Sequence, residues 1–140
     1  MELPTEHIRR RVLRPLRRGE FLSLVVVLAL AVGSGMMAAS GVPMAYDYEL
    51  FLAATEGDYT GYFYMPWALP LFAVLNTLPF ALSFALWNVL NVLLLFVAVR
   101  VFGGSVPVVL LSYQSFYCLF YGQVVGLLAG AFALMWWAMV

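Results

Sequence analysis

Apolar residues run along this chain in long stretches, broken by short clusters of arginine, acid, glycine and proline. A helix needs about 20 consecutive apolar residues to cross the hydrocarbon core of a bilayer. The pattern therefore predicts an all-α integral membrane protein with about five transmembrane helices, at residues 21–39, 63–80, 81–101, 106–121 and 124–140. The last two runs are slightly short, which leaves a re-entrant pair as the alternative to two crossings. Residues 1–20 form a basic segment, and residues 40–62 a polar loop. Ile8, Val12 and Leu16 recur at helical spacing among arginines, so the basic segment reads as an amphipathic helix along the headgroup layer, broken near Pro15. No internal repeat, low-complexity tract or soluble domain interrupts the apolar pattern.

Composition agrees with the pattern. The chain is 65% hydrophobic and 10% charged, with a mean hydropathy of +0.97; soluble domains carry roughly 25% charged residues. A cleaved leader competes for the first run, because Ala38, Ala39 and Ser40 make a small-residue site. The run is longer than such leaders use, so it reads as a retained span.

Net charge is zero, but its distribution is lopsided. Arg9, Arg10, Arg11, Arg14, Arg17 and Arg18 precede the first span, and there is no lysine. Arginine beside a first span stays cytoplasmic, which puts the amino terminus inside and the polar loop outside. Beside a membrane, such a cluster anchors lipid phosphates rather than nucleic acid, and no nucleic-acid partner is expected. Membrane lipid is the expected partner.

The outer loop holds Asp47, Glu49, Glu56 and Asp58 and not one base. Residues 47–56 read as a short surface helix, with Leu50, Phe51 and Ala54 towards the membrane or the bundle. Asp47, between Tyr46 and Tyr48, is the candidate catalytic residue: a carboxylate held against the membrane and partly desolvated suits general-base work. Asp47 and Glu49 diverge on a helix, and Asp58 after Gly57 reads as a turn residue. The acids lack a histidine partner, so no metal or other cofactor is expected.

Tyr62, Tyr64, Pro66 and Trp67 stand where an outer aromatic belt belongs, or where a groove would take a lipid or sugar. On the five-span count Arg100 falls at the outer end of the third span, where it faces a phosphate or snorkels at a helix end. Asn76, Asn88, Asn91 and Gln114 are amides for bonding neighbouring helices. Cys118 reads as an inert buried thiol. No carboxylate or cation lies inside a span, which disfavours an ion-coupled carrier.

Asp47, then Tyr62-Phe63-Tyr64-Met65-Pro66, then Leu78-Pro79, Trp87 and Gly122-Gln123 follow one another in an order that resembles the C-type (GT-C) membrane glycosyltransferases. More narrowly, the order resembles glycosyltransferase family 87, over roughly residues 20–140. The chain departs from that pattern at Trp67, where a second proline is common, and at Val125, where an asparagine is common. The resemblance implies a mannosyltransferase of a bacterial plasma membrane that takes sugar from a polyprenyl-phosphate donor, with Asp47 as base and inversion at the sugar. It also implies further spans that complete the site. With residues 135–140 ending in the apolar run, the chain is expected to be the front part of a longer protein. The alternative is a small non-catalytic subunit that packs with other membrane subunits.

Overall fold

The computed structural model describes residues 4–61 and 68–139, without the side chains of residues 4, 5 and 7. Every regular element among them is a helix. In chain order these are α1 (Pro4–Leu13), α2 (Arg18–Ala39), α3 (Tyr46–Thr55), α4 (Leu69–Leu75), α5 (Phe80–Phe102), α6 (Val106–Leu110), α7 (Tyr113–Tyr121) and α8 (Val125–Met139).

α2 and α5 are the frame. They have 22 and 23 residues, with mean hydropathies of 2.3 and 2.2, and both are long enough to cross a membrane. α7 and α8 together make a third candidate, bent by 114° between them. α2 and α5 lie antiparallel, as three contacts along their length require. At one end Arg100 Nη1 donates to Glu20 Oε2 at 3.2 Å. Towards the other end, Asn88 Nδ2 donates to Ser34 Oγ at 2.8 Å. Further on, Gly35 lies so close to α5 that a Cβ there would stand 2.2 Å from the Ala81 carbonyl oxygen. In lipid there is no hydrophobic drive between helices, so such small-residue contacts and interhelical hydrogen bonds hold the pair.

α6 and α7 climb back along this pair. Val106 and Leu110 pack with Val27 and Val99. The climb breaks at residues 111–112, where bare backbone in lipid would be costly. Two serines satisfy it: Ser112 Oγ and Ser115 Oγ both donate to the Val109 carbonyl, at 2.7 and 2.6 Å, and Ser115 N donates to Ser112 Oγ. Gly122, in the left-handed region at φ +75°, ends α7 and lets the chain reverse. α8 then descends parallel to α5. Gly126 faces Asn91 and Gly130 faces Leu94, each too close for a Cβ.

One part of the sequence reading changes here. The second span expected at residues 63–80 supplies, among the described residues, only the seven-residue α4, which is too short to cross. Pro70 opens α4 and Pro79 opens α5, and α4 packs against α3. Likewise residues 106–121 are not one helix but α6 and α7. The expected helix over residues 47–56 is present as α3, and the basic amphipathic segment as α1, which stops before Pro15. α1 docks by Ile8 against Ala98, Val101 and Ala133.

Gly33 and Gly35 test the account of the frame. A Cβ on Gly33 meets nothing within 4 Å. Gly35→Ala should lower stability in detergent by about 1–3 kcal/mol through forced separation of α2 and α5, and Gly33→Ala by none of that. Equal thermal unfolding of the two variants would refute the close contact.

Candidate functional site

The polar loop closes one end of the frame. α2 ends in a turn at Ser40 and Gly41, and the chain reaches α3 through Ala45. Ala45 is buried and left-handed, at φ 69°, a conformation that costs a residue with a Cβ about 1 kcal/mol or more. Its N–H donates to the Phe120 carbonyl at 2.8 Å, which ties the start of α3 to the end of α7.

α3 presents Tyr48, Phe51 and Ala54 inward, at helical spacing. Tyr48 and Phe51 plug the frame together with Phe72 of α4 and Phe84 and Trp87 of α5. Ring centroids are 4.5 Å apart for Phe51 and Phe72, 4.7 Å for Phe72 and Trp87, and 5.3 Å for Tyr48 and Phe84. Such pairs add about 0.5–1.5 kcal/mol each beyond area burial. Trp87 Nε1 donates to the Gly122 carbonyl at 2.8 Å. Gly122 in turn lies under Tyr48, where any Cβ would stand 2.6 Å from the tyrosine Cβ. The plug therefore fixes α3 against both α5 and the reversal after α7.

This placement separates the four acids. Asp47 is half-buried in the first turn of α3, where the helix dipole favours a negative charge. Its carboxylate lies within electrostatic reach of Tyr117 and Cys118 on α7. Glu49 points elsewhere, into a cleft of about 510 Å³ that it shares with Tyr46, Met44, Phe80, Phe120 and Tyr121. Glu56 accepts from Asn76 Nδ2 at 3.0 Å, a bond that clips α4 to the end of α3. Asp58 accepts from Thr60 N at 2.9 Å, and this bond holds its carboxyl below the usual range. Asp58 is thus a turn residue. Among the described residues no three potential metal ligands converge.

The amides divide as the helices require. Asn88 Nδ2 also donates to the Leu119 carbonyl at 3.0 Å, and Asn91 Oδ1 accepts from Leu127 N at 3.1 Å. These bonds join α2, α5, α7 and α8. Gln114 is exposed and borders a small cavity of about 150 Å³ between α5, α7 and α8. Cys118 is half-buried, with its sulfur 3.9 Å from Gln123 Oε1.

Tyr62, Tyr64, Pro66 and Trp67 lie outside the described residues. Arg100 does not join Asp47. It is 3% exposed at the opposite end of the frame, beside the foot of α2. There it donates to Glu20 and to the carbonyls of Val12 and Arg14, which caps the end of α1. The expected outer position rested on counting residues 63–80 as a crossing. Without that crossing, α5 returns the chain to the arginine-rich end. Glu20 completes the pattern, since its other oxygen binds Arg14 Nη2 at 2.5 Å. Sequence reasoning passed over Glu20, although an acid at the foot of one span and a base at the foot of its antiparallel neighbour are a readable pair.

No family model matches the chain, and comparison with curated proteins and with solved structures gives no match either.

Two substitutions probe this geometry. The Tyr48 phenol is buried and meets no hydrogen-bond partner, and burial pushes its pKa up. Tyr48→Phe should leave thermal stability unchanged or raise it by about 1 kcal/mol; a loss of that size would mean the phenol has a partner. Glu20→Gln strands the Arg100 charge and should cost about 3 kcal/mol, read from denaturant unfolding in micelles. Unfolding like wild type would show that Arg100 does not depend on Glu20.

Proposed function

We propose that this chain forms the amino-terminal part of a C-type membrane glycosyltransferase that draws sugar, in the reading favoured by the resemblance mannose, from a polyprenyl-phosphate donor at the outer membrane face. The observation that carries this reading is the seating of Asp47. It is the half-buried acid of the loop, in the first turn of a helix bolted by an aromatic plug to α5 and to the reversal after α7. A base must keep its place while substrates come and go, and this one rests on rigid elements. The cleft of about 510 Å³ on the Glu49 side of α3, which Asp47 does not line, has a mixed aromatic and acidic border of Tyr46, Tyr121 and Glu49 that suits a sugar.

On this reading the amino terminus is cytoplasmic and α3 lies outside. Asp47 takes the proton of the acceptor hydroxyl as that oxygen bonds to the anomeric carbon. The bond from that carbon to the phosphate oxygen breaks with inversion, and the lipid phosphate carries the electron pair away. The departing charge needs a cation or donors nearby. All arginines of the chain lie on α1, between α1 and α2, at the foot of α2, or at Arg100. The proposed enzyme therefore recruits that help from outside these residues.

A second reading draws on the same fact. Arg100 is locked to Glu20 at the far end, so the acidic end has no cation of its own among the described residues. This favours a non-catalytic subunit whose helices pack within a larger membrane complex.

Asp47→Asn in the full-length protein separates the two. Transfer from a radiolabelled polyprenyl-phosphate sugar in membranes should fall by about 10²–10⁴-fold, with protein levels unchanged. Undiminished transfer would sink Asp47 as the base, and transfer absent from the wild type itself would favour the subunit.

A further inference from the structure

The arginine-rich end holds a cleft of about 490 Å³ that is distinct from the acidic site. Arg14, Arg17, Gly19 and Glu20 form one wall, from the corner between α1 and α2. Gly103, Gly104, Ser105 and Pro107 form the other, from the turn between α5 and α6. The Arg11 guanidinium seats against the same turn, so close to Gly103 that a Cβ there would stand 2.6 Å from Nη1. Arg100 lies buried beneath, donating to the Arg14 carbonyl.

The charges around this cleft do not balance. Arg11, Arg14, Arg17 and Arg100 gather about one carboxylate, Glu20. Both of its oxygens are engaged, Oε1 by Arg14 and Oε2 by Arg100 and by the Arg17 N–H. Glu6, the other described acid of this end, borders a different hollow with Arg9 and Arg10. Arg17 is exposed at the cleft, and its side chain makes none of the bonds that hold Glu20. Ser105 adds an exposed hydroxyl opposite. Glycines 19, 103 and 104 keep the floor free of side chains.

We propose that this cleft binds the phosphate of one anionic phospholipid headgroup. Guanidinium groups match phosphate oxygens in geometry and charge. The cleft sits at the feet of the two helices long enough to cross, which is headgroup depth. Leu16 and Phe21, next in the chain to Arg17 and Glu20 of the cleft wall, are exposed at 39% and 54% and give acyl chains an apolar surface that a free anion would not use. A bound headgroup then bridges α1, the foot of α2 and the end of α5, around the buried Glu20–Arg100 pair. This site stands apart from the sugar-transfer reading and does not rest on it.

Native mass spectrometry of the full chain, delipidated and titrated with phosphatidylglycerol or phosphatidylcholine, tests it. Wild type should retain one phosphatidylglycerol and release phosphatidylcholine. Arg17→Gln keeps the backbone bond to Glu20 and should weaken phosphatidylglycerol by about tenfold or more. Arg9→Gln, on the other hollow, should leave it nearly unchanged. Equal weakening by the two variants would overturn the site in favour of diffuse charge attraction. Inorganic phosphate that displaces the lipid at millimolar concentration would overturn the headgroup as ligand and leave a free-anion site.

Discussion

Everything in this molecule depends on the antiparallel seam between α2 and α5. Inside a bilayer every polar group must find a partner within the protein. The seam meets that demand at both ends: Glu20 with Arg100 at one, and Ser34 with Asn88 beside the backbone contact at Gly35 towards the other. Each contact also sets register. A slip of one residue would turn Asn88 away from Ser34 and the Leu119 carbonyl, and would leave an amide unpaired in lipid. Individual bonds of this kind contribute only about 0.6 kcal/mol on average. Their larger effect is on specificity, because the misaligned alternatives leave polar groups bare.

The seam also explains how a loop rich in acids becomes an ordered cap. α3 is too short to be stable alone; isolated helices below ~12 residues are marginal in water. It is held because α5 offers Phe84 and Trp87 on the face that α4 and α7 leave open, and because Gly122 clears space under Tyr48. The left-handed Ala45 is the conformational cost of that arrangement. It persists because a hydrogen bond to Phe120 and complete burial fix it from both sides. Asp47 inherits its position from this chain of constraints.

Much of this was legible in the sequence. Hydropathy alone locates α2 and α5, proline marks the end of α1, and Gly122-Gln123 marks the reversal before α8. The short helix α3 was legible from its apolar positions within an acidic loop. What misled was residues 63–80. An apolar run has the same hydropathy whether it faces lipid or packs on protein, and Phe72 and Leu75 are apolar because they meet the aromatic plug. Pro70 and Pro79 bracket α4, and they were the available sign that no long helix fits there. Reading residues 63–80 as a crossing also inverts the end at which every later residue lies, which is why Arg100 was expected beside the acids.

The corrected position of Arg100 has a chemical consequence. From Glu20 to Ala39, α2 rises about 29 Å at 1.5 Å per residue, so the arginines and the acids lie at opposite ends of the frame. Charges that far apart interact weakly even where screening is poor. A single phosphate cannot meet both Asp47 and Arg100, and a sugar donor cannot have its acceptor activated by one and its leaving group steadied by the other. The same helix length that lets α2 cross the membrane assigns the two ends separate tasks. The arginine end is suited to holding lipid phosphate in place. At the acidic end, the proposed transfer needs the charge released on the donor to be met by groups that other helices bring to α3.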